Sequence, residues 1–283
     1  MSRQIKYIDL FCGIGSFHYS FQKLGFKCVM ASDIYEPAKL NYKNNYKIDV
    51  LGDICNIDPS NIEPYHILCA GFPCQPFSQA GHHKGFDDSR GTMFFQVMRF
   101  VKTNTPNIVI LENVQALLNH DKGKSFSKIK TELEKEGYKI LHKVLKCSDY
   151  GIPQMRKRLF IIGFKNLELC DIDNFFNLSE YQRHTTMKDY LNKNFTKEIA
   201  YTIRCGGRNS AINDRHNWDG YWVNGEEYRL SIEDCLKLQG FMNYNFVGKQ
   251  NEMWKMLGNT IPTIFTEMIG KQIIKHTSIN SNV

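Results

Sequence analysis

Through its first 164 residues the chain alternates short apolar runs with stretches of helical periodicity, and this constrains its fold more than any other feature. Residues 7–11 are apolar apart from Asp9 and lead into Gly13-Ile14-Gly15; residues 16–24 then read as a helix that Gly25 closes. Residues 27–31 form a second run, followed by a helix near 36–45. Further runs lie at 66–71, 108–111, 138–146 and 159–164, and Phe126, Ile129, Leu133 and Gly137 recur at spacings of three and four. Unbroken apolar strands separated by helices imply a mostly parallel sheet covered on both faces. The expected fold class is α/β, doubly wound.

The pattern changes after Phe164. Residues 166–228 are polar, aromatic and rich in Asn, Asp, Arg and Gly, with poor alternation, and read as a small lobe of short strands and loops. Helical spacing returns at Ile232, Cys235, Leu236 and Leu238, and a last helix covers 264–274 before a polar tail at 276–283 that is expected to fray. The expected division is a large domain of residues 1–165 plus about 250–283, and a small domain of about 166–249.

The formal charge of +7, from 36 Lys+Arg against 29 Asp+Glu, suits a protein that visits a polyanion without singling one out. Nine scattered cysteines form no CxxC or CxxxH pair, and nine histidines show no ligand spacing. Neither a disulfide framework nor a metal site is therefore expected. The first residues lack the pattern of a secretory leader, and no apolar run approaches the ~20 residues that span a bilayer. A cytoplasmic chain with no membrane partner is expected.

The first strand and its turn, Asp9 to Gly15, have the form of a nucleotide-binding turn, in which glycines let the backbone bend tightly and approach a ligand. The spacing is not GxGxxG, so the glycines alone could simply close a βα turn. Asp33 and Asp53 follow at successive strand ends, where acids can bind ribose hydroxyls or an adenine amino group.

A second turn, Gly71-Phe72-Pro73-Cys74-Gln75-Pro76-Phe77-Ser78, follows a buried run. Its prolines stiffen the loop and present Cys74 at the carboxyl edge of the sheet, where open α/β folds bind ligands. A lone buried cysteine is usually inert; this placement reads instead as a nucleophile. Glu112 ends the fourth run at the same edge, and Arg156 and Arg158 precede the last run and can supply fixed positive charge. Each could be a surface charge taken alone, but together they follow different strands of one sheet.

In this order, DLFCGIGSF (9–17), GFPCQPFS (71–78), ENV (112–114), QMRKR (154–158), RLSIEDCLKLQGF (229–241) and LGNTIPT (257–263) resemble the successive motifs of the DNA cytosine-5 methyltransferases of bacterial restriction–modification systems. The resemblance runs through about residue 165 and returns from about 220 to the end. It implies a Rossmann-like methyltransferase fold, S-adenosylmethionine as cofactor and double-stranded DNA as partner. By position, Phe11, Gly13, Gly15, Asp33, Ile34, Asp53 and Asn259 would hold the cofactor. Cys74 would add to C6 of a cytosine, Glu112 would meet N3, and Arg156 and Arg158 would brace the base and the loop. Residues from Cys74 to about Gly91 would close over DNA, with Gln75 and Ser78 filling the space of a base flipped from the duplex. Ser16 stands where close relatives often carry glycine.

The segment between QMRKR and RLSIEDCL is shorter than is usual in the family. Within it, residues 202–218 form the candidate reader. Arg204, Arg208 and Arg215 could bind guanine edges, or could instead pair with Asp214 and Asp219 or touch phosphates. A short recognition sequence and a monomer are expected, with room for a companion restriction endonuclease that acts on the same site without direct contact. Two rival readings stay open here: a tRNA cytosine-5 methyltransferase on the same fold, and a nicotinamide-dependent oxidoreductase, which the glycine turn permits.

Overall fold

The apolar runs become one six-stranded sheet in the computed structural model, which describes residues 4–73, 93–165 and 172–277. The strands are β1 (Lys6–Leu10), β2 (Lys27–Ser32), β3 (Ile67–Ala70), β4 (Ile108–Asn113), β5 (Lys139–Lys146) and β6 (Lys157–Phe164), in spatial order β2-β1-β3-β4-β6-β5. The first four are parallel, whereas β6 runs antiparallel to both β4 and β5. Chain length explains the reversal. A parallel connection needs a crossover of a dozen or more residues, and only residues 147–156 join β5 to β6.

Both faces of the sheet are covered, and alternate residues of each strand serve different faces. Ile108, Ile110, Phe160 and Ile162 pack with α1 (Ser16–Phe21) and α8 (Thr263–His276), through Phe265, Ile269 and Ile273. Val109, Leu111, Leu159 and Ile161 face α3 (Met93–Asn104) and α4 (Lys124–Lys135), through Phe94, Val97, Ile129 and Leu133. The last helix thus returns to the sheet. At Gly270 a Cβ would fall 2.5 Å from Leu24 Cδ1, so a side chain there would have to push Leu24 aside. The tail is expected to fray from residue 276, but His276 and Thr277 are buried; residues 278–283 lie outside the described residues.

A third apolar cluster builds the remainder from α5 (Met187–Leu191), the hairpin β7 (Gly220–Val223) and β8 (Glu226–Arg229), α6 (Ile232–Leu238) and α7 (Gln250–Asn259). The hairpin turns at Asn224-Gly225, both left-handed, as a two-residue type I′ turn requires. Ile14 and Ala38, from the turn after β1 and from α2 (Glu36–Tyr46), join this cluster. Ile172, Phe175 and Leu178 join the sheet's own core instead. Among the described residues no helix is long and apolar enough to cross a membrane, and no three His, Cys, Asp or Glu side chains could together hold a metal ion.

This topology locates the site. From β1 the chain goes first to β2 on one side and later to β3 on the other. The crevice outside the carboxyl ends of β1 and β3 is therefore the switch point where open α/β sheets bind ligands.

Candidate active site

The turn after β1 is left-handed at Phe11, Gly13 and Gly15 (φ +57°, +54° and +86°). A Cβ at Gly15 would lie 2.3 Å from the Tyr46 ring, whereas one at Gly13 would meet nothing within 4 Å: Gly13 faces open space. The Gly13 N–H donates to Asp33 Oδ2 at 2.9 Å, and Asp33 Oδ1 accepts from the Tyr35 N–H at 2.8 Å. Burial pushes the Asp33 carboxyl up, against the pull of those amides. Each oxygen keeps a lone pair for a further donor. Beside it Ile34 is 74% exposed, an unusual position for a large apolar side chain within the fold. A single bridge, Ser32 to Leu51, runs along the outer side of β2 and brings Asp53 to the same sheet end, where its Oδ1 accepts from the Cys55 N–H. An open glycine turn, an exposed apolar face and two flanking carboxylates match a nucleoside with an amino-acid tail, so these residues fit S-adenosylmethionine. Asn259, at the end of α7, holds the Cys205 thiol 2.9 Å from its Oδ1.

Glu112 is buried at the carboxyl end of β4. Its Oε1 lies 2.8 Å from Arg158 Nε as an ion pair, yet no hydrogen bond is aligned to that oxygen. Burial pushes the Glu112 carboxyl above the ordinary value, and Arg158 and Arg156 only partly oppose it. Gly71 lies directly against it: a Cβ there would sit 3.4 Å from Glu112 Oε2 and 3.3 Å from Ile261 Cδ1. The loop that carries Cys74 therefore leaves β3 beside this carboxyl. Cys74, Gln75, Ser78 and the rest of the expected closing loop lie outside the described residues.

Arg156, expected with Arg158 to brace the base and the loop, spends its own hydrogen bonds on backbone carbonyls. Fully buried, it donates from Nη1 to Ile203 O at 3.0 Å, and from Nη2 to Gly258 O at 2.8 Å and Thr260 O at 2.7 Å. Burial, then the neighbouring Arg158, brings its pKa down to about 9. Arg156 thus ties the start of β6 to residue 203 and to the peptides flanking Asn259. The sequence reading also passed over Asn113, whose Nδ2 donates to Phe72 O at 2.9 Å and steadies the chain two residues before Cys74. Gln154 was missed likewise; it bonds Leu238 O and the Ile203 N–H. Both lie in motifs already singled out, and only their distant partners reveal their roles.

The three arginines of the candidate reader differ. Arg204 and Arg215 are exposed, with Arg215 Nε 3.0 Å from His216 Nε2. Arg208 is half-buried. Its Nε is 3.3 Å from Asp219 Oδ2, and its guanidinium carbon is 3.7 Å from the centre of the Trp254 ring.

Comparisons with known proteins identify the family. A family model described as C-5 cytosine-specific DNA methylase matches residues 5–221. The Type II methyltransferase M.MspI of Moraxella sp is 45% identical over 302 residues, covering 96% of this chain and 71% of its own. M.NlaX of Neisseria lactamica is 45% identical over 306 residues, covering 95% and 96%. M.HhaI of Haemophilus parahaemolyticus is 31% identical over 297 residues, covering 91% and 90%. In three dimensions the S. pombe Dnmt2 methyltransferase superposes with a TM-score of 0.75 at 18% identity, over 96% of this chain and 99% of that one, a likeness of fold alone. These matches displace the nicotinamide-dependent reading. The chain belongs to the C-5 cytosine-specific DNA methylase family, and is an enzyme that methylates cytosine in DNA with S-adenosylmethionine.

Proposed function

We propose that the chain methylates C5 of a cytosine flipped out of a short specific sequence of double-stranded DNA, through a covalent bond between Cys74 and C6. The observation that carries this reading is the buried, under-bonded Glu112 lying against Gly71, three residues before Cys74.

Cytosine C5 is a poor nucleophile because the aromatic ring holds its electrons. A thiolate of Cys74 that adds to C6 moves an electron pair toward N3, where the Glu112 carboxyl, whose ionisation burial disfavours, hydrogen-bonds or protonates it. C5 then carries enamine character. When bound, the cofactor supplies an electrophilic methyl group to that carbon. Loss of the C5 proton to a base and release of the Cys74 sulfur restore the aromatic ring. Arg158 holds Glu112 in place and adds fixed positive charge. Arg156 acts from further away, as the brace between the catalytic strand and the peptides around Asn259.

On this reading Gly13 and Gly15 give the cofactor backbone room, Asp33 takes its ribose hydroxyls, and Ile34 and Phe11 take the adenine face. Asp53 takes the adenine amino group and Asn259 the amino-acid end. Gln75 and Ser78 fill the vacated stack. Arg204 and Arg215 face outward and are suited to guanine edges or phosphates. Residues of about 166–249 serve as the recognition lobe, and 1–165 with about 250–283 as the catalytic domain. One flipped base needs one site, so the chain works as a monomer in the bacterial cytoplasm. A companion endonuclease would share the sequence, not a contact.

Bisulfite sequencing tests the reading. A plasmid is taken from a host without cytosine methylation that expresses this chain or its Cys74→Ala form. Protected cytosines within one short sequence, lost in the variant, are the expected result. An unprotected plasmid, with methyl transfer to tRNA in a parallel assay, would overturn it. Flipping is tested separately by 2-aminopurine at the target, which brightens on binding if the base leaves the stack.

A further inference from the structure

Asp219 is fully buried, and among the described residues every bond of its carboxylate runs to the candidate reader or to the hairpin behind it. Oδ2 lies 3.3 Å from Arg208 Nε, and Oδ1 lies 3.2 Å from Arg229 Nη1. The Asn209 N–H points between the two oxygens at 3.3 and 3.4 Å. Arg229 Nη1 also donates to Ser210 O at 2.7 Å. Its neighbours add to the hold: Trp218 Nε1 donates to Gly206 O at 2.8 Å, and Asn217 Nδ2 donates to Ile212 O at 3.1 Å. Asn217, Trp218 and Asp219 therefore fasten a loop whose outward residues include Asn213, Arg215 and His216.

The loop is seated on α7. Arg208 lies on the Trp254 ring, and Trp254 packs edge-on against Trp218, their centres 6.1 Å apart. At Gly258 a Cβ would fall 2.2 Å from Cys205 N, so the two backbones touch where α7 approaches Asn259. A carboxylate this deep is costly unless its bonds are complete. Here the bonds order a surface loop rich in groups that can recognise bases.

We propose that Asp219 is the positioning residue for target recognition: with Arg208 clamped on Trp254 it holds the loop in its reading shape, and Arg208 itself reads no base. This rests on the functional reading above, and places specificity on the outward Arg204, Asn213, Arg215 and His216. A preformed loop loses less freedom on binding, so its benefit is in affinity for DNA and not in the chemical step.

The test uses the full chain on a duplex carrying the sequence found by bisulfite mapping, with Asp219→Asn and Arg208→Gln variants. In both, KM for the duplex is expected to rise about tenfold, equivalent to ~1.4 kcal/mol. The turnover number should stay within about twofold, S-adenosylhomocysteine binding should be retained, and the methylated sequence should be unchanged. A merely structural role would lower thermal stability without this split. If Asp219→Asn fails to fold, Arg208→Gln decides, because it leaves Asp219 paired with Arg229. Unchanged KM in folded variants would overturn the proposal, as would relaxed preference at one base position in Arg208→Gln, which would make Arg208 a reader. Absence of DNA methylation by the unaltered chain would overturn the functional reading, and this proposal with it.

Discussion

Glu112, at the end of β4, and Asp234, in the first turn of α6, are both buried carboxylates, and their surroundings differ. Around Asp234 the bonds are complete. Lys193 Nζ and the Tyr228 hydroxyl donate at 2.6 Å each, and the Ser231 N–H closes a capping box. Burial alone would raise this carboxyl, but these partners outweigh it and hold it below the usual range. Glu112 has Arg158 alongside but an oxygen to which no hydrogen bond is aligned, and burial wins. The small lobe uses its buried acid to build structure. The acid at the sheet edge keeps an oxygen with no aligned hydrogen bond, which in the proposed mechanism is left to meet a base.

The largest effect should come from Glu112→Gln. Loss of a proton donor at N3 should cut turnover by roughly 10²–10⁴-fold, while thermal stability changes little, because a carboxyl whose ionisation burial disfavours is replaced by a neutral amide of the same shape. The pH profile sharpens the point. A carboxyl whose pKa is raised stays protonated above 4.5, so kcat/KM should fall as pH rises through that raised value. The Gln variant should lack this limb. A marked loss of stability in Glu112→Gln would instead make the two carboxylates alike and break the contrast.

Asp234→Ala should do the reverse, costing about 2–3 kcal/mol in urea unfolding at neutral pH through its lost hydrogen bonds, with turnover little changed where the protein is folded. Because the folded-state pKa of Asp234 is depressed, its stabilisation is present above the ordinary value of 3.8 and is lost as pH falls through the lower folded value. Equal stability of wild type and variant at pH 7 would remove Asp234 from the structural side of the comparison.

A third change probes the seam between the two regions. Gly258→Ala places a methyl 2.2 Å from Cys205 N, so the backbone at residues 204–205 must move off α7. Stability should drop by about 1–3 kcal/mol, and DNA binding, read by gel shift, should weaken with it. Normal DNA binding by a stable variant would show that the seam yields freely. The smallest effect is expected for Ile34→Ala, about fivefold weaker S-adenosylhomocysteine binding by calorimetry, from ~1 kcal/mol of apolar contact. Unchanged affinity would take Ile34 out of the adenine site.

Strands read from hydrophobic runs fall within two residues of those observed, because strands buried on both faces leave a continuous apolar record. Helix α3 was passed over in that reading although Phe94, Val97, Phe100 and Val101 carry its buried side. In the small lobe, residue types alone could not separate Arg208 from Arg204 and Arg215. All three are arginines among polar neighbours, and only Asp219 and Trp254 set one apart.

The sequence by itself determined the sheet, the order of its motifs, the family and the chemical identity of the groups at the sheet edge. Those follow from local periodicity and from residue types whose chemistry travels with them. The tertiary structure alone decided what each charge is bonded to. Arg156 gives both terminal nitrogens of its guanidinium to carbonyls of Ile203, Gly258 and Thr260, far along the chain, and only its Nε finds no partner, while Glu112 keeps an oxygen with no aligned hydrogen bond beside Arg158. Whether a buried charge reacts or merely holds depends on how fully folding satisfies it, and the partners that do so are brought near only when distant segments pack together.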